Sequence, residues 1–365
     1  MRIRILHIID HLGYGGAPIV VKNIAERIDK ERFDVRVCAL RTNPEAVPIQ
    51  APTISLTHGK YSPLALRAIR KVCNRDHIDI LHCHLQKSIA TGLFVGHSCE
   101  ARVLLHEHGP IFRGGSGCLY RGLLRLMGKR ADGFIANSTA AATRLSQVAD
   151  IPAESVLTIQ NFVDFGRFDP DRHNRQDARK RLNIREGDTV IGFAGRLDHC
   201  KGVDLLLHAI KILTDTGKHC HLAIIGDGPE KKSLEGLCRD LGVDSHVSFL
   251  GLCEDPAEFM PAFDIGVVPS RREAFGIVAV EFMRMRVPVI ASAVGGLPEL
   301  IDDHKTGLLL SDTTGQGIAD AVEELVANRE LAESLVRNAE ASCQEFDGRK
   351  QMQQIAEIYE KLGTA

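Results

Sequence analysis

The chain holds 365 residues, enough for two domains, and carries a formal net charge of −2. Hydrophobic residues make up 44% and charged residues 25%, which excludes disordered and fibrous classes. No apolar run approaches the roughly 20 residues of a membrane helix, and with no Trp and no basic stripe interleaved with aromatics nucleic acid is not an expected partner.

The opening stretch MRIRILHIID is interrupted by His7 and Asp10 and runs into glycines without a small-residue cleavage site. It reads as a first strand, Ile3–Ile9, rather than a signal peptide. Further strands are expected at Val35–Leu40, Ile78–Cys83, Arg102–His106, Gly133–Ala136 and Val156–Ile159, with helices at Ala17–Ile28, Pro63–Asn74 and Thr139–Gln147. The second half repeats the scheme. Its strands are Val190–Ala194, His221–Ile225, Val247–Leu250, Ile265–Pro269, Val287–Ala291 and Gly307–Leu309. Its helices are Val203–Asp215, Lys231–Leu241, Ala274–Met285, Ile318–Asn328, Glu330–Cys343 and Met352–Leu362. Near-continuous Val/Ile/Leu strands separated by helices predict parallel sheets covered on both faces. The expected fold is therefore α/β, two doubly wound Rossmann-like domains facing a cleft.

The domains are expected at residues 1–164 and 186–346. The polar, charged stretch 165–185 reads as a linker, and a final helix over 347–365 could return to the first domain. Residues 1–164 carry 21 Lys and Arg against 14 Asp and Glu, whereas the remainder carries 24 against 33. That asymmetry leaves room for an anionic ligand or membrane surface near the first half. The ten cysteines are scattered singly, with no Cys-x-x-Cys pair, as suits a reducing, cytoplasmic setting.

In such sheets, ligands sit beyond the carboxyl ends of strands, and motifs cluster there. Gly13-Tyr14-Gly15-Gly16-Ala17-Pro18 follows the first strand and reads either as a phosphate cradle at a helix start or as a tight turn. Gly195-Arg196-Leu197-Asp198-His199-Cys200-Lys201-Gly202 puts two cations within six residues at a strand mouth, as a diphosphate requires. Gly226-Asp227-Gly228-Pro229 suits helix entry. In Ser270–Glu281, Glu273 and Glu281 stand eight positions apart. On one helix they would share a face about 12 Å apart, too far for a dyad but suited to the two ends of an extended ligand. His82-Cys83-His84 and His106-Glu107-His108 suggest one functional histidine with the others packed; no third and fourth metal ligand follows from the spacing.

Taken in order, Gly15-Gly16, the Gly195–Gly202 run, Gly226–Pro229, Glu273-x7-Glu281 and Gly295-Gly296-Leu297-Pro298-Glu299 make the sequence resemble the retaining glycosyltransferases of family 4, with the GT-B fold, along almost its whole length. The resemblance implies transfer of a sugar from a nucleotide-diphosphate donor, by default a UDP-sugar, to an acceptor hydroxyl in glycan or glycolipid synthesis. It implies Arg196 and Lys201 on the diphosphate, with Gly195 beside them and Gly15 and Gly16 closing on the phosphates. Glu273 would hold the sugar hydroxyls with the amides of Phe275, Gly276 and Ile277, Glu281 the ribose, and Leu252 the base. His108 would face the sugar, with His106 the runner-up. No metal and no cofactor are expected, since the cations replace a divalent ion and the nucleotide sugar is a co-substrate.

Phe282 and Arg286 depart from the family's small residue and Gly, so the helix end must be capped in another way, since left-handed geometry disfavours Arg. A sugar-nucleotide epimerase on the same fold and a sugar-nucleotide binder without transfer activity are the alternatives. Arg113–Arg130 mixes leucines with basic residues. It reads either as an amphipathic helix on an anionic membrane, which would place the protein at the membrane's inner face, or as a helix with its leucines packed inward.

Overall fold

Why the apolar runs become buried strands is visible in the computed structural model, which describes residues 2–57, 63–109 and 115–363. The chain divides into two units, one of residues up to Phe162 and from Gly348 on, the other Val163–Asp347. In the first, β1 (Ile3–Ile9), β2 (Phe33–Ala39), β3 (Thr53–Ser55), β4 (Ile80–His84), β5 (Arg102–Glu107), β6 (Gly133–Ala136) and β7 (Val156–Thr158) form one sheet in the order β3-β2-β1-β4-β5-β6-β7. Its paired strands all run parallel. Apolar clusters cover both faces. Leu6, Ile8, Leu81 and Leu105 lie on one side, and Ile5, Ile9, Ile80 and Tyr359 on the other. Each such fully buried side chain contributes roughly 1.5–3 kcal/mol.

The second unit repeats the plan with β8 (Thr189–Ala194), β9 (Cys220–Ile225), β10 (Val247–Gly251), β11 (Ile265–Val268), β12 (Val289–Ser292) and β13 (Leu308–Leu310), ordered β10-β9-β8-β11-β12-β13. It too is parallel and covered on both faces. Strand order reverses between β1 and β4 and between β8 and β11, the points where such sheets open to ligands. Among the described residues no helix is long and apolar enough to cross a membrane.

Four expectations need correction. The stretch 165–185 is no free linker: it contains the helix Arg175–Arg181, and Phe168, Ala178 and Leu182 are buried in the second unit's core. Three of its arginines are tied to that unit by ion pairs: Arg175 and Arg179 with Asp264, and Arg181 with Glu258. The helix expected from Ala274 begins at Ile277, because Gly276 before it takes φ 96°, so Glu273 lies in the preceding loop and shares no helix face with Glu281. Arg286 adopts the left-handed conformation after all, at φ 59°. The Val287 N–H donates to the Phe282 carbonyl at 3.0 Å, the usual left-handed helix ending, while Glu340 and Asp171 hold the Arg286 side chain at 2.9 and 2.8 Å. The edge strand β3 and the helix Gln86–Val95 escaped the periodicity because the one is three residues long and the other buries polar Ser88 and Thr91 together with Ile89, Leu93 and Val95.

Candidate functional site

In the second unit, the loops after β8, β9, β11 and β12 meet backbone against backbone. A Cβ at Gly202, which takes φ 68°, would lie 2.1 Å from the Pro269 carbonyl oxygen, and one at Gly295 would lie 1.6 Å from that of Glu273. Only glycine fits either contact, and both fix the loop that carries Glu273.

Arg271 completes the arrangement. Its guanidinium forks onto Asp204 at 2.7 and 2.6 Å and its backbone N–H donates to the Cys200 carbonyl at 2.7 Å. This fork holds the Asp204 carboxyl below its usual range against the opposing effect of burial. The result brings Lys201 and Glu273, 72 positions apart, into an ion pair, Nζ to Oε2 at 2.6 Å. Ser270 Oγ donates to the same oxygen at 3.2 Å, and the Ala274 N–H to the other at 3.3 Å. The clamp of Arg271 on Asp204 is the functional feature that sequence reading missed. An Arg two positions before the glutamate is ordinary in a loop, and its partner 67 positions away is not signalled.

Arg196 is exposed and lies 3.6 Å from Asp198, free of Glu273. Gly195, the first residue after β8, precedes it. The Glu281 carboxyl, on the helix Ile277–Arg284, makes no hydrogen bond among the described residues, and burial pushes it up to about 7. No side chain caps that helix, so the N–H of Ile277 stands at its positive end. The Phe275 ring is buried 6.0 Å from Phe346, which leaves only its backbone for a ligand. Leu252, just past β10, is 40% exposed. A pocket lined by Asp188, His221, Asp244 and Ser248 opens at the opposite, amino-terminal ends of the strands.

In the first unit, Gly15 and Gly16 are exposed at the start of the uncapped helix Gly16–Arg27. Register assembles the histidines. His7 pairs with His82, and His84 with His106, and alternation puts His7, His82, His84, His106 and His108 on one face. Their rings stack, His106 on His108 at 3.9 Å, and the helix Arg349–Gly363 brings Tyr359 onto them. The sequence reading of separate His-x-His runs thus understates what the sheet builds. Burial pushes His7 and His108 down to about 3 and the other three well below their usual value. All five are therefore neutral at pH 7.

Nitrogens of His84, His106 and His108 lie within 4.8 Å of one another. However, His84 Nδ1 and His108 Nε2 are 2.8 Å apart, the spacing of a shared proton. Two imidazoles on a tetrahedral zinc would stand about 3.3 Å apart, given metal–nitrogen bonds near 2.0–2.1 Å. On the other face of β5, burial pushes Glu107 up to about 7 although it accepts from Gly109 N–H and Tyr120 Oη. Asn137, also buried, donates to the His108 carbonyl at 3.4 Å.

Residues 14–167 match the model of Glycosyltransferase Family 4, and residues 174–342 that of Glycosyl transferases group 1. The chain belongs to glycosyltransferase family 4. This glycosyltransferase is 33% identical over 246 residues to the D-inositol 3-phosphate glycosyltransferase of Saccharomonospora viridis, covering 64% of this chain and 57% of that one. It is 27% identical over 391 residues to the enzyme of that name from Corynebacterium jeikeium, covering 96% and 93%. The crystal structure of Anabaena HepE with UDP and glucose superposes with TM-score 0.85 at 23% identity, covering 99% of this glycosyltransferase and 100% of that chain. The fold is thus GT-B, two Rossmann-like units.

Proposed function

We propose that this glycosyltransferase moves a sugar from a nucleotide-diphosphate sugar, probed first as a UDP-sugar, to an acceptor hydroxyl with the anomeric configuration retained and without a metal ion. The observation that carries the reading is the Lys201–Glu273 pair at 2.6 Å, with exposed Arg196 on the same loop after β8, at the strand ends where β8 and β11 diverge. A cation and a carboxylate at one point suit a donor in which a diphosphate adjoins sugar hydroxyls. Binding divides the pair's labour: Lys201 and Arg196 take the phosphates, and Glu273 accepts from the hydroxyls.

The Glu281 carboxyl, which makes no hydrogen bond among the described residues, accepts from the ribose. The backbone N–H groups of Phe275, Gly276 and Ile277, and of Gly15 and Gly16, add neutral donors to the bound anion. Leu252 covers the base, and His108 takes a donor-sugar hydroxyl. As the C1–O bond to phosphate breaks, negative charge gathers on the leaving oxygen, where fixed cations act most strongly. That oxygen accepts the proton of the acceptor hydroxyl, whose oxygen forms the new bond to C1 on the same face. No protein nucleophile enters this account. The two cations neutralise the leaving group in place of a divalent ion.

The acceptor side includes an anionic lipid surface. On the helix Gly115–Met127, Leu124 and Tyr120 are buried, whereas Leu119 and Leu126 are 79% and 82% exposed, with Arg125, Lys129 and Arg130 exposed nearby. Of the four leucines on this helix, Leu124 points inward, Leu123 is half-buried, and Leu119 and Leu126 are left to meet a lipid surface; Arg113 lies outside the described residues.

The test is acceptor-dependent release of nucleoside diphosphate from a panel of nucleotide sugars, in EDTA, with the product's anomeric configuration read by NMR. Release without acceptor, inversion of configuration, or activity only on adding metal would each overturn the corresponding part.

A further inference from the structure

The five histidines and Tyr359 form a single unbranched hydrogen-bonded chain. It runs from His108 Nε2 to His84 Nδ1 (2.8 Å), from His84 Nε2 to His7 Nδ1 (2.8 Å), and from His7 Nε2 to Tyr359 Oη (3.2 Å). It continues from Tyr359 Oη to His82 Nδ1 (2.7 Å) and ends from His82 Nε2 to His106 Nδ1 (3.2 Å). At its two ends, His108 Nδ1 and His106 Nε2 are buried and have no hydrogen-bond partner among the described residues.

Counting protons fixes what this chain can be. Each neutral imidazole has one N–H and one lone-pair nitrogen, and the phenol has one O–H. Six groups thus carry six protons for five links. Every link is satisfied only when all bonds run the same way along the chain. In one arrangement all five histidines carry the proton on Nε2, so His106 ends in a donor and His108 in an acceptor. In the other all five carry it on Nδ1, and the ends exchange roles. Any mixture leaves a link with two protons or none, or aims the buried phenol hydrogen at nothing, at a cost of roughly 1–3 kcal/mol.

We infer that His106 Nε2 and His108 Nδ1, on rings stacked 3.9 Å apart, form a hydroxyl-binding pair of opposite polarity, and that Tyr359 is the positioning residue that keeps them opposite. A sugar hydroxyl both donates and accepts, so it matches such a pair as two donors or two acceptors would not. That the ligand is a sugar rests on the function proposed above; the coupling itself does not. His106 therefore joins His108 in the site, and Tyr359 on the last helix governs both without touching the ligand.

The test is 15N NMR of histidine-labelled full-length protein, which reports the protonated nitrogen of each ring. Without ligand the wild type should show one tautomer at all five positions. Tyr359→Phe removes only the linking oxygen. It should release His82 and His106 from the tautomer of His7, His84 and His108, lower Tm by a few degrees because His7 Nε2 and His82 Nδ1 lose their buried partner, and lower kcat/KM about tenfold, tenfold being about 1.4 kcal/mol. Glucose, then UDP-glucose, should shift His106 Nε2 and His108 Nδ1 before any other ring nitrogen. Mixed tautomers in the wild type, or unchanged coupling in Tyr359→Phe, would overturn the inference whatever the donor proves to be. A correct tautomer pattern with neither sugar perturbing the two end nitrogens would overturn the hydroxyl-binding part. Stoichiometric zinc uptake lost in His106→Asn would overturn it in favour of a metal centre.

Discussion

Lys201 and Arg196 carry the same charge in different surroundings, and their variants should part company in stability. Lys201→Ala leaves Glu273, only 12% exposed in its side chain, facing two weaker donors, so Tm should fall by a few degrees. Arg196→Ala removes an exposed side chain with one long contact and should leave Tm unchanged. Each should lower kcat/KM by about 100-fold or more if both hold the leaving diphosphate. Near-normal turnover in either, measured with the best donor and acceptor, would remove that residue from the site. Glu281 offers a prediction with a sign. Its folded carboxyl titrates near 7, above the 4.5 of a free one, so the folded state holds the extra proton and stability falls as pH rises from about 4.5 to 7. Glu281→Gln should therefore raise Tm at pH 8 and leave it unchanged at pH 4.5, while weakening donor affinity about tenfold through loss of a charged acceptor. A Tm difference equal at both pH values would show that burial of the charge is not the cause.

At the scale of elements, the strands were legible because buried parallel strands are continuous Val/Ile/Leu runs, and β1, β6 and the helix Val203–Asp215 appear where the pattern put them. What failed was partner identity. Arg175, Arg179 and Arg181 look alike whether solvated or paired, and only Asp264 and Glu258, far along the chain, decide it. Glycine in the Glu273 motif was visible, but not that Gly276 turns the chain through φ 96° and delays the helix. Lys201 and Glu273 were each legible as strand-end residues, whereas their contact was not, because it depends on Arg271 clamping Asp204. The helix Gly115–Met127 yields a prediction at this scale: full-length protein should cosediment with anionic vesicles and be released by salt. Leu126→Asp should reduce the bound fraction severalfold without lowering Tm, because that side chain is 82% exposed. Equal binding to neutral vesicles would remove the electrostatic part.

Across the whole molecule, titratable burial is unequal between the two units, and acid should act on them differently. In the first, His7 and His108 titrate near 3 and His82, His84 and His106 well below 6.5. Unfolding frees these rings to take up protons, so stability is lost progressively as pH falls below 6.5. Glu107, raised to about 7 by burial, opposes this between 7 and 4.5, but one carboxyl stands against five imidazoles. In the second unit the balance tips the other way. Glu281 gains stability over the same range, and His221, lowered by burial, is a single opposing ring. Scanning calorimetry at pH 7.5 and pH 5 should therefore show the transition of the histidine-bearing unit moving down by several degrees more than that of the other. Tyr359→Phe should leave that acid shift in place, because burial rather than the phenol sets it. A shift of equal size in both transitions would mean that the imidazoles are hydrated in the folded state, and the neutral hydrogen-bonded chain would fail with it.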